Sequence, residues 1–518
     1  MITKLVFTLF INLWLFQCLF GSDSIPAGNV SGHWVLANSP YKIYGNILLP
    51  FNSSLEIDSG VVVIFQGHFD FQVRGRITAL GTSTQNIIFT ANGSWWGIRI
   101  AGISPSQDSS YFINCKVEKG NAGGTNEYAN GGAFYISYYS KLRIASCIIT
   151  NNTAHNNGGG IYFNHSSPVI SGNIISNNVA NNEGGGIYCS YSAPKITDNT
   201  ISYNGQGIYC KNSAPLIAGN IIKNNGLSSG IDCESCSPSI INNIISYNGM
   251  GIYANLSAPF VTGNVIHHNT APYGAGIRCV FNSSPLITNN TFAYNTATTY
   301  GGALYCSQSS SPVVKNNILW GNIATGGGNQ LALDQTSHPS FYNCDVQGGS
   351  AMFYYFEAPG TFTGTYINNI NVDPLFSNPS NYDYSLQSTS QCIDAGTLDT
   401  TGLGLPETDL TGGPRICNSH VDIGAYENCT ITGNKDFSSD FSSLKIYPDP
   451  SSNIITIETS GQQVKCHLSM INLNGKNIFI REITENKTTL DISNLTGGVY
   501  FVRIAVEKRV LTGKFIKH

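Results

Sequence analysis

Charge is what this sequence has least of. Only 11% of its 518 residues are Asp, Glu, Lys or Arg, against about 25% in an ordinary soluble protein. The 26 basic and 30 acidic residues leave a formal net charge of −4. That excludes a basic nucleic-acid binder and an acidic tail as the main theme. Beyond residue 20 no apolar run is long enough to span a bilayer. Cys233 and Cys236 lack the second pair that a zinc site needs. No Ser-His-Asp signature, phosphate loop or dinucleotide fingerprint is present. Good helix formers are scarce in the middle, where 30 of the 180 residues from Asn151 to Gln330 are Asn. Asn and the 55 Gly are poor helix formers, so long helices are excluded there. The chain is nevertheless 41% hydrophobic and 11% aromatic, too rich for disorder and enough for a sizeable core.

The first residues carry a compartment signal. Lys4 precedes the apolar run Leu5 to Phe20, and Gly21-Ser22 follow. This reads as a secretory signal peptide, residues 1–21. Without Cys18, 13 of the 14 cysteines remain. An odd number in a secreted chain suggests some disulfides, but the repeat gives most of these cysteines another role.

The strongest signal is internal repetition. Pro168, Pro194, Pro215, Pro238, Pro259, Pro285, Pro312 and Pro339 recur at spacings of 21 to 27 residues. Two residues after each of the first seven comes an aliphatic: Ile170, Ile196, Ile217, Ile240, Val261, Ile287 and Val314. Three further on stands Asn, from Asn173 to Asn317; two beyond that another apolar residue, from Ile175 to Leu319; then a second Asn, from Asn178 to Asn322. A Gly-rich turn leads to a third apolar series, Ile187, Ile208, Ile231, Ile252, Ile277 and Leu304. The pattern predicts three short strands per unit. A unit this small cannot bury its apolar face alone, but stacked coils can, at about 4.8 Å per strand. The Asn columns suit bends, since Asn tolerates left-handed backbone and its amide can bond to the next coil.

Period-two alternation assigns the remaining positions. Cys189, Cys210, Cys233, Cys279 and Cys306 fall two residues after the inward Ile or Leu and read as small buried hydrophobes. Cys115, Cys147 and Cys344 stand where the first Asn would be. The residues between the inward neighbours face out: Tyr162, Tyr188, Tyr209, Asp232, Tyr253, Arg278 and Tyr305. Tyr203, Tyr247, His268 and Tyr294 form a second aromatic column. Such tyrosines either stabilise the sheet by cross-strand stacking or present rings to successive sugars. The ligand-binding candidates are therefore Tyr162, Tyr188, Tyr209, Tyr253 and Tyr305. Between residues 121 and 330 the only acids are Glu127, Glu183, Asp198, Asp232 and Glu234. Asp232, Glu234 and Arg278, with Lys211 nearby, form the catalytic candidate. His267 and His268 are adjacent and make a poor metal pair.

The repeat resembles the right-handed parallel β-helix, which supplies the handedness and fits the rule for parallel crossovers. His33-Trp34, Ser39-Pro40-Tyr41, Leu55 to Phe65, Ile87 to Thr90 and Trp95-Trp96-Gly97-Ile98 resemble the opening coils of secreted β-helix proteins. Val372-Asp373-Pro374-Leu375-Phe376, Ile393-Asp394-Ala395-Gly396, Arg415 and Val421 to Glu427 resemble the choice-of-anchor tail found behind such helices. The tail's Asp residues are read as turn caps that pair with Arg415 to close the top of the solenoid. A Ca²⁺ site is the alternative, and no other cofactor is expected. One disulfide is expected among Cys392, Cys417 and Cys429, with the pairing open.

The last 75 residues change sign, with 10 basic and 6 acidic residues. Leu444 to Ser451, Asn474-Gly475-Lys476, Leu490 to Leu495, Gly497 to Ile504 and Lys514 to Lys517 resemble the type A sorting domain of the Bacteroidetes type IX secretion system. Its signal residues map onto Tyr447, Pro448, Pro450, Gly498, Tyr500, Arg503, Lys514 and Lys517. The resemblance implies a small β-sandwich, and the secretion machinery as a partner.

The expected order is therefore a signal peptide (1–21), a β-helix (22–371), an anchor-like cap (372–429), a linker (430–443) and a sorting domain (444–518). Within the helix, coils are degenerate over 31–119 and regular over 120–345. The expected protein is a monomeric secreted or cell-surface chain that binds polysaccharide or host glycans without turnover. A polysaccharide lyase of the pectate-lyase-like kind using Asp232 and Arg278 is one alternative. A structural spacer about 60 Å long is another.

Overall fold

A computed structural model describes residues 23–102, 108–226, 228–357, 360–417, 420–429, 444–459, 466–472, 477–506 and 509–517. The signal peptide, the 430–443 linker and the Asn474-Gly475 turn lie outside the described residues. The chain divides into two compact units, Met1–Asn428 and Cys429–His518.

The first unit is a prism of three parallel sheets, each of 14 strands. Sheet 1 runs from Ser24–Ile25 to Asp345–Val346, sheet 2 from Gly28–Asn29 to Tyr354–Tyr355, and sheet 3 from Gly32–Trp34 to Thr365–Ile367. Each coil visits the three in turn. The register places equivalent residues over one another: Ile175 beside Ile201, Ile187 beside Ile208, and Ile170 beside Ile196. All six are fully buried. Fourteen coils at about 4.8 Å give a stack about 62 Å high.

The corners explain the polar repeat. Asn199 Nδ2 donates to Asn220 Oδ1 at 3.0 Å and to the Ile170 carbonyl at 3.0 Å. Its own Oδ1 accepts the Asn173 backbone N–H and Nδ2, both at 2.9 Å. The same bonds recur from Asn173 to Asn317, and in the second column from Asn178 to Asn322. The ladder Asn point inward, and the left-handed backbone falls on the residue before each. Asp198, Asn242, Tyr203 and Tyr247 have φ of 58°, 51°, 57° and 56°. The third corner uses serine, with Ser166 N–H donating to Ser192 Oγ and Ser192 N–H to Ser213 Oγ, each at 3.0 Å. The cysteines behave as their positions require. Cys189, Cys210, Cys233, Cys279 and Cys306 are buried free thiols. Cys147 Sγ accepts the Cys115 N–H at 3.3 Å, as an Asn amide would.

Aromatic residues close both ends of the column. Trp34 stacks on Tyr41 at 4.8 Å near the first coils. Phe353 and Phe362 pack against Phe341 at the last.

The segment after Ile370 takes a different place from the expected lid. Phe376, Tyr384, Leu386, Cys392, Ile423 and Ala425 pack on Val265, Ala293 and Ile318, the outward residues of sheet 1. Asn242, Asn289 and Asn316 at the adjoining corner bind its backbone. The segment therefore lies along the side of the prism, covering the apolar outer residues Val265, Ala293 and Ile318 of sheet 1. Its Asp residues do cap turns: Asp409 Oδ1 accepts from Thr411 and Gly413, and Asp422 accepts from Asp394 and Asn428. Arg415 pairs with Glu427 at 3.4 Å and donates to the Ala425 and Gly424 carbonyls. Cys417 and Cys429 are disulfide-bonded, whereas Cys392 is a buried free thiol whose Sγ lies 3.4 Å from Asp345 Oδ2.

The second unit has two antiparallel sheets of three and four strands. Ile455, Ile457, Leu468, Val502, Ile504 and Phe515 form its core. Among the expected signal residues, Tyr447 is exposed and donates to Glu458 at 2.7 Å. Tyr500 is buried, stacked on Phe515. Arg503 and Lys514 are exposed, while Lys517 is buried. Pro448 and Pro450 lie in the turn between strands Leu444–Tyr447 and Ile454–Thr459, and Gly498 opens the strand Gly498–Val506.

Candidate functional site

Sheet 2 places the outward candidates in one file. Tyr135, Tyr162, Tyr188, Tyr209, Asp232, Tyr253, Arg278 and Tyr305 are register partners on successive strands. Seven steps of about 4.8 Å make the file about 34 Å long. Tyr135 belongs to it by geometry; the proline-based alignment begins one coil later.

The rings adopt the stacked alternative. Tyr135–Tyr162, Tyr162–Tyr188 and Tyr188–Tyr209 have centroids 5.4, 5.2 and 5.1 Å apart, tilted by at most 8°. Their faces cover one another, so edges and hydroxyls are what this column presents outward. Tyr188, Tyr209 and Tyr305 are each only 7% exposed.

Added strands flank the file. Asn121–Ala122, Thr153–Ala154 and Val179–Ala180 form one short sheet; Thr270–Tyr273, Thr296–Tyr300 and Ile323–Ala324 form another. Gly184 (φ 67°) ends the first arm against Tyr188, where a Cβ would sit 2.8 Å from the tyrosine Cβ. In the three coils between the arms, the chain passes from sheet 1 to sheet 2 without an added strand among the described residues. Asp232 and Glu234 lie in this saddle.

Their environments differ. Asp232 Oδ2 accepts from Gln206 and Ser229, both at 3.1 Å. Burial pushes its carboxyl up to about 7, and the charges of Glu183 and Glu234 add to the rise. Burial also raises Glu234, but hydrogen bonds from Lys211 (2.7 Å) and Tyr209 outweigh it and hold the carboxyl below its ordinary value. Two residues apart on one strand face, the two groups are separated by about 6.6 Å of backbone rise. Tyr209 is raised by burial and by its bond to Glu234.

Arg278 does not join this pair. It is two strands from Asp232, with Tyr253 between them. Its guanidinium lies 5.5, 5.4 and 5.6 Å from the ring centroids of Tyr253, Tyr273 and Tyr305. The sequence pattern missed Tyr273 and Tyr300, which reach sheet 2 from the second arm. The second aromatic column is split. Tyr203 is exposed, whereas Tyr247, His268 and Tyr294 lie against Tyr382 and Tyr384 of the side-docked segment. Burial lowers His267 to about 3. Among the described residues no group of three or more His, Cys, Asp or Glu is arranged to hold a metal ion.

Residues 82–266 and 229–392 match the family described as right handed beta helix region, together more than half of the chain. Residues 445–518 match the secretion system C-terminal sorting domain. No curated protein matches the chain.

Proposed function

The chain belongs to the right-handed β-helix family and its sorting domain directs it through type IX secretion to the cell surface or beyond; from that premise we propose that it binds an extended polysaccharide along the outer face of sheet 2. The observation that carries this reading is the unbroken file from Tyr135 to Tyr305, with its polar centre at Tyr209, Lys211, Asp232 and Glu234. A linear glycan rises about as much per sugar as the helix does per coil. Contact is through tyrosine hydroxyls and the Lys211–Glu234 pair, since the ring faces are occupied by each other. Affinity electrophoresis of the full chain through gels containing neutral and uronate polysaccharides tests this. Retardation by at least one polymer is expected, and weaker retardation after Tyr188→Phe with Tyr209→Phe, which keep the stack. Unaltered mobility in every gel would remove the proposal.

One observation favours turnover as a second reading. A carboxyl held near 7 beside one held ionised supplies an acid and a base on one face. New reducing ends from a retained polymer without unsaturated ends, lost in Asp232→Asn, would support hydrolysis. Unsaturated uronate ends would support elimination instead.

A further inference from the structure

A cavity of about 280 Å³ opens on sheet 2 at the Tyr135 end of the file, toward the first coils. Asp70, Gln72, Arg99, Tyr128 and Tyr135 are among its lining residues. Its volume equals roughly nine waters at about 30 Å³ each, which accommodates one sugar ring rather than a chain.

Two buried polar atoms there lack partners. Asp70 is fully buried; its Oδ2 accepts from Gln72 at 3.0 Å, but its Oδ1 accepts nothing. Arg99 is 5% exposed, and its Nε donates to nothing. Leaving such groups unpaired costs about 1–3 kcal/mol each, so a fold that keeps both invites a ligand to satisfy them. One atom is an acceptor and the other a donor. A hydroxyl group can serve both senses, and adjacent hydroxyls can serve both atoms together.

The same contacts disfavour an anion. The Arg99 Nη atoms are already bound to the carbonyls of Asn130, Trp96 and Tyr128. Arg99 therefore has no free fork to grip a carboxylate, and the exposed Arg74, which also lines the cavity, is offset by the acids beside it. Asp70 and Glu127 would repel one. The Arg99 guanidinium lies 5.5 Å from the Tyr135 ring centroid, whose ring also stacks on Tyr162, and 6.0 Å from that of Tyr128, so Tyr128 is the aromatic wall left for the apolar face of a ring.

We propose that this cavity binds one neutral polyhydroxylated ring, either a free monosaccharide or the terminal residue of a glycan, through Asp70 and Arg99. The inference goes beyond the groove reading and does not rest on it. Trp96, 5.9 Å from Tyr128 between ring centroids, is a built-in reporter.

The test titrates the full chain with neutral methyl glycosides and with the matching uronates, following tryptophan fluorescence. Saturable change with at least one neutral glycoside is expected, with uronates at least tenfold weaker. Asp70→Asn should weaken the response at least tenfold, while Glu234→Gln in the saddle leaves it unchanged. Should Asp70→Asn fail to fold, Tyr128→Ala at the wall should give the loss instead. A disaccharide binding tighter than its methyl glycoside assigns the site to chain ends; equal binding assigns it to free sugars. No response to any neutral glycoside, tighter binding of uronates, or a response untouched by the folded variants would overturn the proposal. Loss of polymer retardation alone would not, because these glycosides do not span the file.

Discussion

Replacing Asn199 by Ala tests the corner ladder where it is most regular. Four hydrogen bonds go at once: two accepted from Asn173, and two donated to Ile170 O and Asn220 Oδ1. The fifth, from the Asn199 backbone N–H to Asn220 Oδ1, survives. The Asn173 backbone N–H and the Ile170 carbonyl are left buried without these partners, and the Asn173 side chain keeps only its bond to Ile144 O. At about 1–3 kcal/mol for each of these two buried groups left unpaired, the cost is about 2–6 kcal/mol. The protein supplies its own control, since Cys147 occupies an equivalent position and its Sγ both accepts the Cys115 N–H and donates to the Phe112 carbonyl at 3.3 Å. Asn199→Cys should therefore recover roughly half of the loss. A stacked repeat unfolds in parts, so the assay is amide hydrogen exchange on the full chain, read at Asn173, Asn199 and Asn220. Exchange there should accelerate by more than a hundredfold in the Ala variant and clearly less in the Cys variant. Equal behaviour of the two, or an Ala variant as protected as the parent, would refute the reasoning.

Three further outcomes follow from the same geometry. Asp232 keeps its proton to about pH 7 in the fold but loses it near 3.8 when unfolded. The stabilisation present at pH 4 is thus lost as pH rises through 7, by about 4 kcal/mol. In parallel urea titrations Asp232→Asn should gain on the parent by about that amount between pH 4 and 8, and parallel stability curves would contradict it. Burial lifts Cys344 to about 12 and raises Cys115 well above its ordinary value. The ten buried thiols should resist alkylation in the native chain and react in denaturant, as peptide mass mapping would show; native labelling at Cys189 or Cys210 would count against the dry column. Deleting residues 445–518 should leave the protein inside the cell envelope in fractionation, and undiminished surface exposure would contradict the sorting role.

The fold was legible because the solenoid repeats one local rule. Pro, Asn and Ile recur in fixed order, and period-two alternation then places Cys189 inside and Tyr188 outside. Outside did not mean open, however. Alternation gives the direction of a side chain but not its rotamer, and the 4.8 Å coil step lets Tyr162, Tyr188 and Tyr209 pack face to face. The serine corner was also written in the sequence, two residues before each proline from Ser166-Ser167-Pro168 to Ser337-His338-Pro339, except for Cys236. The place of residues 370–428 was not, because it depends on Val265, Ala293 and Ile318 being apolar on an outer face, and its contacts with the prism, such as Cys392 with Asp345 and Thr408 with Asn242, span 47 and 166 residues of sequence. Asp70 and Arg99 fall in degenerate coils where no repeat marks them as exceptions. The separation of Arg278 from Asp232 required the register itself.

The most direct measurement of where a ligand sits is hydrogen exchange of the full chain with and without a polysaccharide that retards it. The account predicts added protection on the sheet 2 strands Ile187–Ser190, Ile208–Lys211 and Ser229–Glu234, with sheet 3 unchanged. Protection confined to sheet 3, to the side-docked segment or to the second unit would contradict it.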